Sequence, residues 1–185
     1  MDKIIKRTYL QELIQDWGYI VLFGYSFGGG FFALAVAGVL SFAGELNIYT
    51  TIVVALSANF IGDQFLFMLA KNNKPYAKKL MKNHQRKIAY SQLLMRKYGP
   101  AVILLQKYIY GVKTLVPLAM GLTKYDVKKF AVYNFIGAVI WAVVIGTLAY
   151  ILGELVYTYV EDFKTYGMAF IVVLLLFIAY MFRKI

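Results

Sequence analysis

Long apolar stretches separated by short polar segments dominate the chain. Residues 17–43 contain no charged side chain, and residues 46–70 contain only one, Asp63. Two further apolar stretches, 130–153 and 163–182, follow in the second half. A helix needs about 20 apolar residues to cross a bilayer. The pattern predicts an all-α polytopic membrane protein with one membrane domain, whose spanning helices are the last three of these stretches.

The first stretch, 17–43, is long enough for one spanning helix, but the glycines Gly28-Gly29-Gly30 interrupt it. Three glycines cost a helix about 3 kcal/mol relative to alanine. We therefore predict two short arms, 18–27 and 31–43, in a re-entrant hairpin with the glycines at its tip. A kinked or closely packed spanning helix is the alternative.

A second interrupted stretch, 98–125, carries Lys107 and Lys113 among apolar residues. A lysine near the bilayer centre costs about 2.5–3.5 kcal/mol on insertion scales, so a spanning helix seldom carries two. Two helix breakers, Gly111 and Pro117, lie on either side of the second lysine. The pattern indicates a polar elbow that holds two cations.

Thr114 is placed to cap a new helix after this elbow, with Pro117 in the first turn. The arms predicted on either side, 99–110 and 115–124, would each be about 15–18 Å long. Neither can cross a hydrocarbon core of about 30 Å. We therefore predict a second re-entrant hairpin over 98–125.

A basic segment fixes the predicted orientation of the chain. Nine cations and no acids lie between residues 71 and 97, which places this segment in the cytoplasm. It should attract anionic lipid heads, and residues 78–97 should form a surface helix. Residues 1–16 are predicted to form an interfacial amphipathic helix, and 154–162 an acidic turn outside. This placement of the net charge of +11 argues against a nucleic-acid partner.

Composition excludes several kinds of chemistry. A hydrophobic content of 61% and a mean hydropathy of +0.64 exclude a soluble globular protein. The chain has no cysteine, which excludes disulfides and thiolate metal sites. Its one histidine, His84, lies in the basic segment, where a solvated role is expected. We therefore expect no catalytic residue, cofactor or metal site, and no enzyme activity.

A short motif occurs twice. Asn-Phe-Ile-Gly stands at 59–62 and again at 134–137, each time in the helix that follows a predicted hairpin. The order of hairpin and span repeats as well. This layout indicates inverted repeats, in which two opposed hairpins enter from opposite sides and their tips meet near the midplane, as in many secondary transporters.

The second half of the chain resembles a known family. Residues 107–121, KYIYGVKTLVPLAMG, and then 133–141, with Tyr-Asn-x-x-Gly-Ala-x-x-Trp, resemble the signature of the DedA proteins, the bacterial branch of the SNARE-associated or VTT-domain superfamily. Gly62-Asp63, with Phe67 and Lys71, is similar to a second motif of that family. The resemblance extends over about 17–153.

The resemblance implies a multi-pass protein of the bacterial cytoplasmic (inner) membrane with two opposed re-entrant hairpins. It implies movement of a polyprenyl phosphate carrier lipid, or of phospholipids, between leaflets, with proton coupling in some members. Three departures stand out. Lys107 and Lys113 replace paired arginines and lose the bidentate fork. Tyr110 replaces a usual proline. Gly28-Gly29-Gly30 replaces Pro-Gly-Glu, which leaves Asp63 as the only acid deep in an apolar span.

These residues define the predicted site. A phosphate in the membrane needs concentrated positive charge, which Lys107 and Lys113 supply. Backbone N–H groups near Gly111 and Thr114, and at Gly28, Gly29 and Gly30, can approach the anion closely. The alternative is that the lysines reach the interface and pair with Asp63 or Asp126. Asp63 can act as their counter-ion, as a proton carrier, or as both.

Two functions remain open at the level of sequence. The leading one is a translocase or scramblase for a phosphate-bearing lipid. The alternative is a proton- or cation-coupled transporter of a small solute involved in membrane homeostasis. The expected partners are membrane lipids with an anionic phosphate head group, protons, and further copies of the chain in a homo-oligomer.

Overall fold

The computed structural model describes residues 17–82, 85–109 and 113–159, apart from the side chains of 85, 87, 88, 91, 92, 96 and 156–159. All regular elements in these ranges are helical. The predicted interfacial helix 1–16 and the predicted span 163–182 lie outside the described residues. So does His84.

The helices follow one another with short connections. In chain order they are α1 (17–28), α2 (Phe31–Phe42), α3 (Ile48–Asn72), α4 (Lys74–Met81), α5 (Gln85–Tyr98), α6 (Val102–Leu105), α7 (Leu115–Gly121) and α8 (Val127–Tyr159). Two 3-10 turns, Gly99–Ala101 and Gln106–Tyr108, flank α6.

The arms of the first predicted hairpin are α1 and α2, and the chain reverses at Gly29 and Gly30. Gly29 has a φ of +130°, which residues other than glycine rarely adopt. The hydroxyl of Tyr19, early in α1, accepts a hydrogen bond of 2.8 Å from the backbone N–H of Asn47, beyond the end of α2. This folded-back pair contradicts a single kinked spanning helix. Its re-entrant placement in a bilayer stays a prediction.

Among the described helices, α3 and α8 are long and apolar enough to cross a membrane, as judged by length and composition. The side-chain oxygen of Asn47 caps α3 by accepting hydrogen bonds from Tyr49 and Thr50. The carboxylate of Asp126 accepts one of 2.9 Å from the N–H of Lys129 at the start of α8, and this bond lowers the pKa of Asp126. Two of the three predicted spans, 46–70 and 130–153, therefore coincide with capped helices.

Two predicted boundaries were wrong. The acidic turn predicted over 154–162 is helical as far as Tyr159, because 154–159 contains neither glycine nor proline to end α8. The surface helix predicted over 78–97 is two helices, α4 and α5. The side chain of Asn73 caps α4 by accepting from the N–H of Tyr76 at 3.2 Å.

The second hairpin departs furthest from its prediction. Its first arm is not one regular helix over 99–110, because α6 is a single turn between 3-10 turns. Gly99, at a φ of +55°, and Pro100 separate it from α5. The second arm, α7, ends at Gly121 instead of 124, and Pro117 lies in its first turn as predicted. Again, re-entry into a bilayer stays a prediction.

Each hairpin has its own apolar core against the two long helices. Around the first hairpin, Leu22 and Leu34 pack with Trp141 of α8. Around the second, Val116 of α7 packs with Phe67 and Phe130, whose rings stack at 4.2 Å between centroids. The long helices α3 and α8 therefore form a scaffold that holds both hairpins.

Cysteine labelling tests the predicted orientation of α3. The chain has no cysteine of its own, so each introduced thiol is unique. Tyr49, which is 78% exposed, and the exposed Lys78 lie near opposite ends of α3. Tyr49→Cys should react with an impermeant maleimide from outside, and Lys78→Cys only after permeabilisation. Labelling of both from the same side would contradict the span.

Candidate functional site

A buried ion pair lies where the second hairpin meets α3 and α8. The ammonium of Lys107 donates to the side-chain oxygens of Asn59 at 2.6 Å, Asp63 at 2.7 Å and Asn134 at 2.9 Å. Lys107 is 5% exposed and Asp63 is 1% exposed. An ammonium has three N–H donors. All three have an acceptor here, so Lys107 is both charge-paired and saturated.

The repeated Asn-Phe-Ile-Gly motif builds this cluster. Its first residues, Asn59 and Asn134, supply two of the three acceptors. The amide nitrogen of Asn134 also donates to the backbone carbonyl of Phe60 at 3.0 Å. The rings of Phe60 and Phe135 meet edge to face at 5.7 Å. The two copies of the motif therefore pack against each other and fix Lys107 between them.

The glycines of the motif allow the hairpins to pack closely against α3 and α8. A Cβ at Gly62 of α3 would collide with the backbone carbonyl of Phe27, beside the turn of the first hairpin. A Cβ at Gly137 of α8 would lie 2.8 Å from Cε of Lys107, in the second hairpin. Each motif glycine thus contacts the hairpin that precedes it in sequence. This parallel supports an internal repeat, whose inverted orientation in the membrane stays a prediction.

Lys113 lies where the turns of the two hairpins meet. A Cβ at Gly29 would lie 3.5 Å from Cδ of Lys113 and 3.7 Å from its ammonium nitrogen. The ammonium also lies 5.1 Å from the ring centroid of Trp141 on α8, within cation–π range. Lys113 is 9% exposed. Residues far apart in the chain therefore enclose this second cation.

The ammonium of Lys113 differs from that of Lys107 in its hydrogen bonding. Among the described residues, it has no hydrogen-bond partner, and neither do two other buried donors, the hydroxyl of Ser26 and the indole N–H of Trp141. The Ser26 hydroxyl lies beside Gly30, next to the turn that contacts Lys113. Buried polar groups in folded proteins normally have partners. The ammonium and these two other unpaired donors suit an anionic acceptor.

The remaining predicted site residues are less central. Gly111 lies outside the described residues. Thr114 precedes α7, but its exposed side chain makes no capping hydrogen bond, so that prediction was wrong. Gly28 is the last residue of α1, not part of the turn, and a Cβ there would meet nothing within 4 Å. The N–H groups of Gly29 and Gly30 already donate to the carbonyls of Ser26 at 3.3 Å and Tyr25 at 2.8 Å, so the prediction that they are available to an anion was wrong.

Sequence reasoning missed several contacts. The sequence marks Asn59 and Asn134 only as members of the repeated motif, although a polar residue at the same place in two apolar helices is a usable signal of a contact. Gln106 is fully buried, and its amide nitrogen lies 3.4 Å from the Asp63 carboxylate. No feature of the sequence indicates that Ser26 lies near the site. Neither lysine pairs with Asp126, which instead accepts from the backbone.

The chain matches known membrane proteins over most of its length. The sequence pattern of the VTT domain matches residues 16–151. The chain is 25% identical over 147 residues to the inner membrane protein YohD of Escherichia coli, covering 80% of this chain and 77% of that protein. It is 26% identical over 169 residues to the protein DedA of the same organism, covering 80% and 76%.

A third relative comes from another organism. The chain is 25% identical over 155 residues to the membrane protein YbfM of Bacillus subtilis, covering 78% of this chain and 96% of that protein. The comparison with solved structures found no match.

These matches agree with the helices of the structure. With α3 and α8 able to span a bilayer and relatives in the inner membrane, the protein is a multi-pass protein of the bacterial inner membrane. The VTT pattern covers well over half of the chain, and the chain belongs to the VTT-domain family, which includes the DedA proteins.

Proposed function

We propose that this protein binds the phosphate of a membrane lipid, a polyprenyl phosphate carrier or a phospholipid, and moves that lipid between leaflets. The proposal rests on the environment of the Lys113 ammonium. This ammonium is buried, faces Trp141, and has no hydrogen-bond partner among the described residues. An uncompensated buried cation is costly, and an anion that enters the site removes that cost.

The groups around Lys113 suit a phosphate oxygen. An ammonium, the hydroxyl of Ser26 and the indole N–H of Trp141 can each donate a hydrogen bond. Gly29 has no side chain to cover the ammonium, and its positive φ disfavours a larger residue. Hydrogen bonds to charged groups are about twice as strong as neutral ones, and a low dielectric strengthens them further.

The two lysines take different roles in this proposal. Lys113 contacts the head group. Lys107, with all three donors engaged, is a positioning residue that holds the second hairpin against α3 and α8. For movement between leaflets, the proposal places both turns near the midplane, where rocking of the hairpins would expose Lys113 to each leaflet in turn.

A binding measurement tests the phosphate claim. The chain has two tryptophans, Trp17 and Trp141, so Trp17→Phe leaves one reporter beside Lys113. We expect polyprenyl phosphate in detergent to change the fluorescence of Trp141, and the matched polyprenol without phosphate to leave it unchanged. Equal responses to the two lipids would show that the phosphate is not recognised.

A pair of adjacent glycines tests the meeting of the hairpins. Gly29→Val should abolish binding of the phosphate lipid, because valine is strained at a φ of +130° and its side chain would lie against Lys113. Gly28→Ala is the matched control, since a Cβ there meets nothing within 4 Å. It should bind normally. Normal binding by Gly29→Val in the membrane fraction would mean that this turn is not part of the site.

Asp63 decides between this function and the alternative, a proton- or cation-coupled transporter of a small solute. Its contact of 2.7 Å with Lys107 favours the role of counter-ion over that of proton carrier. Asp63→Asn should therefore lower thermal stability in detergent and leave any remaining lipid flux as dependent on a proton gradient as in the parent. A stable variant that loses only its gradient dependence would favour the coupled transporter.

A further inference from the structure

The net charge around the candidate site can be counted. The structure brings together three ionisable side chains, Asp63, Lys107 and Lys113, whose charges sum to +1. The other described elements that enclose the site add no charge to this sum. By sequence, α1, α2 and α7 contain no acidic, basic or histidine residue, and neither do 108–109 or the part of α8 from 130 to 153.

The ion pair leaves one uncompensated charge. The carboxylate of Asp63 is neutralised by Lys107 at 2.7 Å, and Lys107 has no spare N–H to offer a ligand. The positive charge that remains is that of Lys113, which is buried and has no hydrogen-bond partner among the described residues. One negative charge on a ligand would balance it, and a second would stay unpaired away from water.

We propose that the site selects a lipid phosphate that carries a single negative charge over one that carries two. Such a group is a phosphodiester, or a phosphomonoester that retains one proton. The inference rests on the proposed function and names the charge state of its ligand. The reason is desolvation: a buried charge without a partner is strongly disfavoured, so a dianion must be protonated to enter.

The pH dependence of binding distinguishes the two charge states. A phosphomonoester loses its second proton near pH 6, so at pH 8 only about 1% remains a monoanion. If only the monoanion binds, the apparent affinity for a monoester lipid falls about 100-fold between pH 5 and pH 8. A phosphodiester does not titrate in this range, so its affinity reports any titration of the protein itself.

The experiment uses the full chain with Trp17→Phe in detergent. It titrates phosphatidic acid, a monoester, and phosphatidylglycerol, a diester, with identical acyl chains at pH 5, 6, 7 and 8. We expect the affinity for phosphatidic acid, relative to phosphatidylglycerol, to fall about 100-fold across the range. A constant or rising ratio would overturn the selection of a monoanion. Failure of both lipids to bind at any pH would overturn the proposed function itself.

Two variants change the charge count in a controlled way. Asp63→Asn raises the sum to +2 and should reduce the pH-dependent loss to less than about 10-fold, because a dianion is then balanced. Asp63→Asn with Lys107→Gln removes the same ion pair but keeps the sum at +1, so the loss should stay near 100-fold. Equal pH profiles in the single and double variants would overturn the inference. The comparison of phosphatidic acid with phosphatidylglycerol in the parent does not depend on the folding of either variant.

Inorganic phosphate separates a lipid head group from a free phosphate ion. It titrates in the same range but has no hydrocarbon chain. At a concentration equal to that of the lipid it should not displace phosphatidylglycerol. Displacement under these conditions would show that the ligand is free phosphate and would overturn the assignment to a lipid.

Discussion

Replacing Lys107 by methionine is expected to destabilise the fold by about 3–5 kcal/mol, the usual cost of removing one partner from a buried ion pair. The substitution leaves Asp63, 1% exposed, without its cation. It also removes the donor shared by Asn59 and Asn134, which joins the two copies of the repeated motif. Thermal unfolding in detergent, followed by tryptophan fluorescence, measures the loss.

The control for this prediction removes both charges. Asp63→Asn with Lys107→Gln removes both charges of the ion pair, so neither is left without its partner, and the double variant should be clearly more stable than Lys107→Met or Asp63→Asn alone. Such a recovery is the signature of two residues that act as a pair. If Lys107→Met is as stable as the parent, or if the double variant is no better than the single ones, the ion pair does not hold the hairpin.

Replacing Lys113 by glutamine is expected to act on binding instead of on stability. The loss of one charged hydrogen bond is worth about 1.5–3 kcal/mol, or roughly 10- to 150-fold in affinity for the phosphate lipid. Stability should not fall, because the substitution removes a buried cation that has no hydrogen-bond partner among the described residues. Lys113→Arg should retain binding, since it keeps the charge and its donors.

Comparing the two variants separates a structural lysine from a binding lysine better than either variant does alone. Lys107→Met should unfold easily, whereas Lys113→Gln should fold well and bind poorly, as measured by the fluorescence of Trp141 in the Trp17→Phe background. If Lys113→Gln binds polyprenyl phosphate as tightly as the parent does, Lys113 does not hold the head group. If Lys113→Gln is strongly destabilised, Lys113 has a structural role like that of Lys107.

Much of the helical plan could be predicted because local chemistry determines it. Consecutive glycines disfavour a helix wherever they occur, and the chain does reverse at Gly29 and Gly30. Asn47 could be expected to end the turn before α3, and it caps that helix. The short form of α6 was not predictable in this way, because no residue between Val102 and Tyr108 is a helix breaker.

The different roles of the two lysines could not be predicted from the sequence. Lys107 and Lys113 look alike in sequence, and both stand in the same apolar stretch. What separates them is the lateral packing of distant segments: Asp63 lies 44 residues from Lys107, and Asn59 lies 48 residues from it. Sequence periodicity assigns a residue to a face of one helix, but it does not say which neighbouring helix that face will meet.

Lipid flux in liposomes tests whether Lys113 takes part in moving a phosphate-bearing lipid between leaflets. The parent, Lys113→Gln and Lys113→Arg are reconstituted at equal protein content with a fluorescent phosphate-bearing lipid, and a membrane-impermeant quencher reports which leaflet holds it. We expect rapid exchange of the lipid between leaflets with the parent and Lys113→Arg, and exchange close to that of protein-free liposomes with Lys113→Gln. Equal exchange by the parent and by protein-free liposomes, or by the parent and Lys113→Gln, would contradict this expectation.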